Sequence, residues 1–185
     1  MNTISKNLLS SWIDEIHKSL LDKKPELIDT FQIYAEEAVF ARELIDYNLS
    51  KIPKKANILE VGAGLFILSC QLCREGYQVS CVEPTAKGFS HFNELQKFIL
   101  KLAIINGYCP DILKIRAEEL NFKDKYDFAF SINVMEHVDD ISGVINKVNM
   151  SLKSKAVYRF VCPNYSFPYE PHFNIPILFS KKFTE

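Results

Sequence analysis

From residue 57 onward the chain alternates short apolar runs of strand length with longer stretches of helical period, the pattern of βαβ units feeding a parallel sheet. The first run, residues 58–61, ends in Gly62, Ala63 and Gly64. A helical stretch carrying Ile67, Leu68, Leu72 and Cys73 follows and stops at Gly76, where a helix favours a glycine. Residues 77–82 alternate as a second strand, 85–106 read as a long helix ending at Gly107, and 112–116, 126–132 and 156–162 read as further strands. Asp139 and Asp140 stand where a helix start favours carboxylates, ahead of an apolar face of Ile141, Val144, Ile145, Val148 and Leu152. This order predicts an α/β fold with a doubly wound, mainly parallel sheet.

Two amphipathic helices are expected before it. Leu9, Trp12, Ile16 and Leu20 recur at three- and four-residue steps, and after Pro25 the period returns in Leu27, Phe31, Tyr34, Ala38, Ala41, Ile45 and Leu49, ending before Pro53. After the fifth strand, Pro163, Pro168, Pro171 and Pro176 interleave with Tyr165, Phe167, Tyr169, His172 and Phe173, which predicts an irregular loop. The chain thus divides into a helical segment, 1–52, a Rossmann-like core, 53–163, and an aromatic, proline-rich segment, 164–185.

Composition narrows the classes of function. With 185 residues, 48% of them hydrophobic and 24% charged, the chain can bury a single core without disulfides or a metal. Lys and Arg number 22 against 23 Asp and Glu, so no net field attracts nucleic acid. No apolar stretch approaches the ~20 residues of a membrane span, and the first ten residues lack a signal-peptide apolar region; a cytoplasmic protein is expected. The five cysteines fall mostly in apolar segments and read as reduced, small hydrophobes, the Cys70 and Cys73 pair included. His17 and His91 read as helix-surface residues.

The strongest local signal is Glu60-Val61-Gly62-Ala63-Gly64 at the junction of the first strand and helix. The two glycines let the backbone turn sharply and approach a ligand, while unpaired amides at the helix start attract an anionic group. Glu83 ends the second strand, where a carboxylate can accept both hydroxyls of a ribose. Together they predict a nucleoside site.

With these stations in order, the chain resembles the class I S-adenosylmethionine-dependent methyltransferases over roughly residues 57–163. The matching strings are Ile58 through Gly64, Cys81-Val82-Glu83-Pro84, Arg116-Ala117-Glu118-Glu119-Leu120, and the stretch from Tyr126 that ends Asn133-Val134-Met135-Glu136-His137-Val138. The strand ending Phe160-Val161-Cys162-Pro163-Asn164 completes the set. The Asn-x-x-Glu-His string resembles the small-molecule branch that includes ubiquinone-biosynthesis-like enzymes. Ile67 breaks the nicotinamide fingerprint Gly-x-Gly-x-x-Gly at its last glycine.

The resemblance implies methyl transfer from S-adenosylmethionine to a small-molecule acceptor, at oxygen, with few catalytic side chains. Glu60, Gly62, Ala63 and Gly64 would line the methionine end of the cofactor, Glu83 and Pro84 the ribose, Ala117 and Glu118 the adenine, and Asn133 and Met135 the sulfonium. His137 and His172 are the candidate bases for an acceptor hydroxyl, and Tyr165, Tyr169 and Phe173 the candidate walls of an acceptor pocket. The helices before the first strand often form a lid in this family, which makes Tyr34 a lid contact. No metal is expected. Phe66 stands where the family usually has a third glycine and Arg116 where it often has an acid; the bulky Phe66 ring is expected to shift the cofactor, weaken its binding or change its stacking. The family's last two strands are missing from the 185 residues, so an open sheet edge is expected to favour homo-oligomers. Two rival readings are a catalytically inactive cofactor-binding or interaction module of the same fold, and a nicotinamide-dependent oxidoreductase.

Overall fold

A computed structural model of the chain describes residues 3–84 and 90–162. Helix α1, Thr3–Lys23, leads through a single turn opened by Pro25 into α2, Ile28–Leu49. The stripe of Leu9, Trp12, Ile16 and Leu20 on α1 is completely buried, as its period requires. Trp12 anchors that face: its indole N–H donates to the carbonyl of Ile67 at 3.1 Å, and the edge of its ring meets Tyr108 at 5.2 Å.

Five strands form the sheet: β1, Asn57–Val61; β2, Gln78–Val82; β3, Asp111–Leu113; β4, Tyr126–Ile132; and β5, Leu152–Val161. All pair in parallel in the order β3-β2-β1-β4-β5. From β1 the chain steps outward to β2 and β3 through α3, Ile67–Arg74, and α4, Ser90–Ile105. It then returns to β4 and steps the other way through α5, Ile141–Ser151. Crossovers of one hand put helices on opposite faces when the stepping direction reverses. Accordingly Ile58, Cys81, Phe128 and Phe130 pack against α1 to α4, while Leu59, Val61, Val82 and Ala129 pack against Val144 and Val148 of α5. Burial on both sides is why β1 and β4 read as continuous apolar runs. The sheet is doubly wound, as the sequence predicts, and its reversal lies between β1 and β4, the point at which such sheets open a crevice at their carboxyl ends.

β4 has the predicted bounds, β1 and β2 differ from theirs by one residue, and β3 and β5 differ by more. β3 covers 111–113 instead of 112–116, because Arg116 leaves the sheet to cap a 3₁₀ turn, Ala117–Glu119, where the backbone amide of Arg116 donates to Glu119 Oε2 at 2.9 Å. β5 begins at Leu152, a residue expected on the last turn of α5; it pairs with Tyr126, and the register between Tyr126 and Phe128 slips across a bulge that contains Lys155 at φ 67°. Asp140 caps α5 by accepting from the Gly143 amide at 2.8 Å, as its position suggests. The long helix expected from residue 85 is described from Ser90.

Among the described residues no strand pairs with the outer edge of β5, on which Val157 and Phe160 are 47% and 41% exposed. No described helix is long and apolar enough to cross a membrane.

Candidate functional site

The turn after β1 is built by backbone conformations that few residues tolerate. Gly62 and Gly64 lie at φ 74° and 52°, in the left-handed region. A Cβ on Gly62 would lie 2.3 Å from Cγ2 of Val134, so the turn and the segment after β4 touch backbone to side chain. A Cβ on Gly64 would meet no atom within 4 Å, because it would project into open space. Phe66, the residue before α3, is also left-handed at φ 63°, and its amide donates to the carbonyl of Ala63 at 2.8 Å. The third glycine of the family's turn is thus replaced with its conformation kept, at about 1–2 kcal/mol. The ring does not line the cavity above this turn; it is buried in the core and borders a hollow of about 240 Å³ alongside Gln96 and Leu100 of α4, which Glu83 and Pro84 also line.

A cavity of about 400 Å³ opens above this turn, at the carboxyl ends of β1, β2 and β4. Of the predicted residues, Glu60, Gly62, Ala63 and Gly64 line it from the first station, and Glu83 and Pro84 from the second. Ala117 and Glu118 border it from the turn after β3, and Asn133 and His137 from the segment after β4. His137 is exposed at the rim. Met135 is not in the lining: it is 2% exposed and packs in the core beneath, with the Tyr158 hydroxyl 4.0 Å from its sulfur. His172, Tyr165, Tyr169 and Phe173 lie outside the described residues. Arg116 lines the cavity and is held by Glu118 at 3.2 Å and Asp139 at 2.5 Å.

Four carboxylates, Glu37, Glu60, Glu83 and Glu118, line this space. Glu60, 7% exposed, accepts from the Ser69 hydroxyl; burial, reinforced by Glu83 and Glu37, pushes its carboxyl up to about 8. Glu83 accepts from the Gly64 amide at 2.8 Å, and burial raises its pKa against the pull of the Gly64 and Ala63 amides. The Tyr34 phenol is raised by burial, then by Glu37 and Glu83. The linkage sign for Glu60 follows from its raised folded value: the stabilisation is complete below the unfolded pKa near 4.5 and is lost as pH rises towards about 8. The melting temperature is therefore expected to fall between pH 5.5 and 8.5, and to fall less in Glu60→Gln; equal slopes in the two proteins would place the pH dependence elsewhere.

Sequence reading missed most of one wall. Glu37, Ala38 and Ala41 of α2 line the cavity together with Tyr34, as do Phe92 of α4 and Val134. Tyr34, Ala38 and Ala41 belong to a stripe that reads as packing, and the signal that it also lines a cavity was the carboxylate of Glu37 beside them. Tyr34 and Phe92 meet edge to face at 5.5 Å. Of the five thiols read as small hydrophobes, Cys70 and Cys81 are buried, Cys73 is half-buried, and Cys109 and Cys162 are exposed; burial raises Cys70, Cys73 and Cys81 alike, Cys73 to about 11, which suppresses the reactive thiolate. Among the described residues no cluster of His, Cys, Asp and Glu could hold a metal ion.

Residues 31–175 match the family model of a methyltransferase domain. An uncharacterized protein of Mycobacterium tuberculosis is 46% identical over 160 residues, which cover 86% of this chain and 54% of that protein. The chain therefore spans about half the length of the curated relatives it matches. Ubiquinone biosynthesis O-methyltransferase of Pelagibacter ubique is 29% identical over 104 residues, 56% of this chain and 40% of that protein. Magnesium protoporphyrin IX methyltransferase from Synechocystis PCC 6803, solved with bound S-adenosylmethionine, shares the fold with a TM-score of 0.51 and 17% identity, over 66% of this chain and 57% of that one. A family model spanning most of the chain, laid on this sheet order and this turn, makes the chain a member of the methyltransferase domain family.

Proposed function

We propose that the protein transfers a methyl group from S-adenosylmethionine to a hydroxyl oxygen of a small-molecule acceptor. The observation that carries the reading is one cavity, at the reversal point of the sheet, lined by residues of four separate stations of the motif series. The donor set fits the cofactor: Gly64 faces open space, Glu83 sits at the end of β2 within reach of the glycine turn, and the lining is acidic where the ligand is cationic. The cofactor supplies an electrophilic methyl group on a positively charged sulfur.

The chain's own residues bind, orient and hold protons. In this reading the backbone of Gly62 to Gly64 meets the methionine end, Glu83 and Pro84 the ribose, Ala117 and Glu118 the adenine, and Asn133 the reacting end. Residues 1–52 form the lid, with Tyr34 and Ala38 closing over the ligand and excluding water. His137, at the rim, takes the acceptor's hydroxyl proton, with His172 the second candidate; Tyr165, Tyr169 and Phe173 are the proposed acceptor walls. Most of the rate then comes from positioning and from the exclusion of water.

Calorimetric titration with S-adenosylhomocysteine tests the site without knowledge of the acceptor. Micromolar binding is expected, and Glu83→Ala should weaken it by about 1.5–3 kcal/mol, roughly ten- to a hundredfold. An unchanged affinity would move the ribose away from Glu83. Transfer of labelled methyl to hydroxyl compounds tests the acceptor atom, and transfer confined to amines would overturn that part.

A further inference from the structure

The lid helix α2 brings into the cavity a carboxylate that lies outside all the motif stations. Glu37 shares the cavity-lining face of Tyr34, Ala38 and Ala41, and its Oε1 accepts from Asn133 Nδ2 at 2.7 Å. Asn133 is itself fixed: it ends β4 in the left-handed region at φ 53°, and its amide donates to the carbonyl of Val161 at 2.9 Å. The Glu37 carboxylate is therefore aimed by a residue of another element, at the end of β4, and not by its own helix.

The charge around the cavity is one-sided. Glu37, Glu60, Glu83 and Glu118 line it, against one described Lys or Arg, Arg116, which is already paired with Glu118 and Asp139. Glu60 accepts from Ser69 and Glu118 is paired with Arg116, while burial pushes the carboxyls of both Glu60 and Glu83 up. Glu83 is compensated in part by the Gly64 amide, and Asn133 gives Glu37 a neutral donor only. A lining of this kind selects among ligands of equal shape by their charge. S-adenosylmethionine and S-adenosylhomocysteine present the same amino acid, ribose and adenine groups and differ by one methyl and one positive charge at sulfur.

We infer that Glu37 determines specificity by making the site favour the sulfonium donor over its neutral thioether product, an inference that rests on the methyl-donor reading above. Such a preference clears product from the site and lets fresh donor displace it.

The test is the ratio of the two dissociation constants, measured by calorimetry on the full chain. Wild type should bind S-adenosylmethionine more tightly than S-adenosylhomocysteine, with a preference that shrinks as salt is raised. Glu37→Gln, which keeps the shape and an acceptor for Asn133, should lower the ratio about fivefold by weakening the donor alone, while the thioether stays within about twofold. Glu37→Asp, which keeps the charge, should retain most of the preference. Equal weakening of both ligands by Glu37→Gln, or an unchanged ratio, would overturn the role of Glu37 and leave the methyl-donor reading standing. A folded wild type that binds neither ligand would overturn the methyl-donor reading, and Glu37 with it.

Discussion

Glu75→Leu is expected to cost about 3–5 kcal/mol of stability, because it strands a buried cation. Arg42 on α2 is 1% exposed, and its guanidinium grips the carboxylate of Glu75, just past α3, with two bonds of 3.2 and 3.1 Å. Removing Glu75 leaves a buried cation with Asp46 at 2.7 Å as its remaining ion-pair partner. Removing Arg42 instead leaves the buried Glu75 carboxylate with Gln71 at 3.3 Å and Lys54 at 3.7 Å, so Arg42→Met should cost a similar amount. Replacing both, Arg42→Met with Glu75→Leu, should recover most of the loss, because no charge is then stranded. Urea denaturation of the three proteins measures this, and a loss under about 1 kcal/mol for Glu75→Leu would mean the pair is solvated in solution. The pair ties α2, which carries Tyr34 and Glu37, to α3, which follows the glycine turn, so cofactor affinity should fall with it.

Gly62→Ala and Gly64→Ala should separate folding from binding at two positions of one turn. Both pay for a left-handed backbone, about 1–2 kcal/mol. At Gly62 the new methyl also overlaps Val134, a β-branched residue with little rotamer freedom, which brings the total to about 2–5 kcal/mol. At Gly64 it meets nothing within 4 Å and enters the space assigned to the ligand. Gly64→Ala should therefore remain folded and lose S-adenosylhomocysteine binding by about tenfold or more, whereas Gly62→Ala should show a depressed melting temperature before any ligand is added. Equal stability of the two variants would show that Val134 yields without cost.

The parts of this molecule legible from the sequence are those written in local pattern. β4 is found at its observed bounds because a buried apolar run is followed by the left-handed Asn133, and the β1 turn because Gly62 and Gly64 hold conformations that glycine adopts at little cost. Asp140 caps its helix from the position its type suggests. What was not legible depends on distant partners. Arg116 ends β3 early because Glu119 offers its amide a better acceptor than the sheet does, and Leu152 joins β5 because Tyr126 is there to pair with it. Glu37 meets Asn133, far along the chain, only because the fold brings α2 to the end of β4. Met135 sits inside the motif string yet faces the core, since motif spacing does not say which way a side chain turns after the strand ends.

Phe66 bears on how this sequence can change. Its backbone would welcome glycine, but its ring is packed in the core, and truncating a buried phenylalanine costs about 3–5 kcal/mol against the 1–2 kcal/mol of relief. No single step to a small residue is therefore favourable. A lineage of this chain could regain the family's third glycine only after a larger side chain had filled the hollow from α4, at Gln96 or Leu100, so the order of substitutions matters as much as their identity.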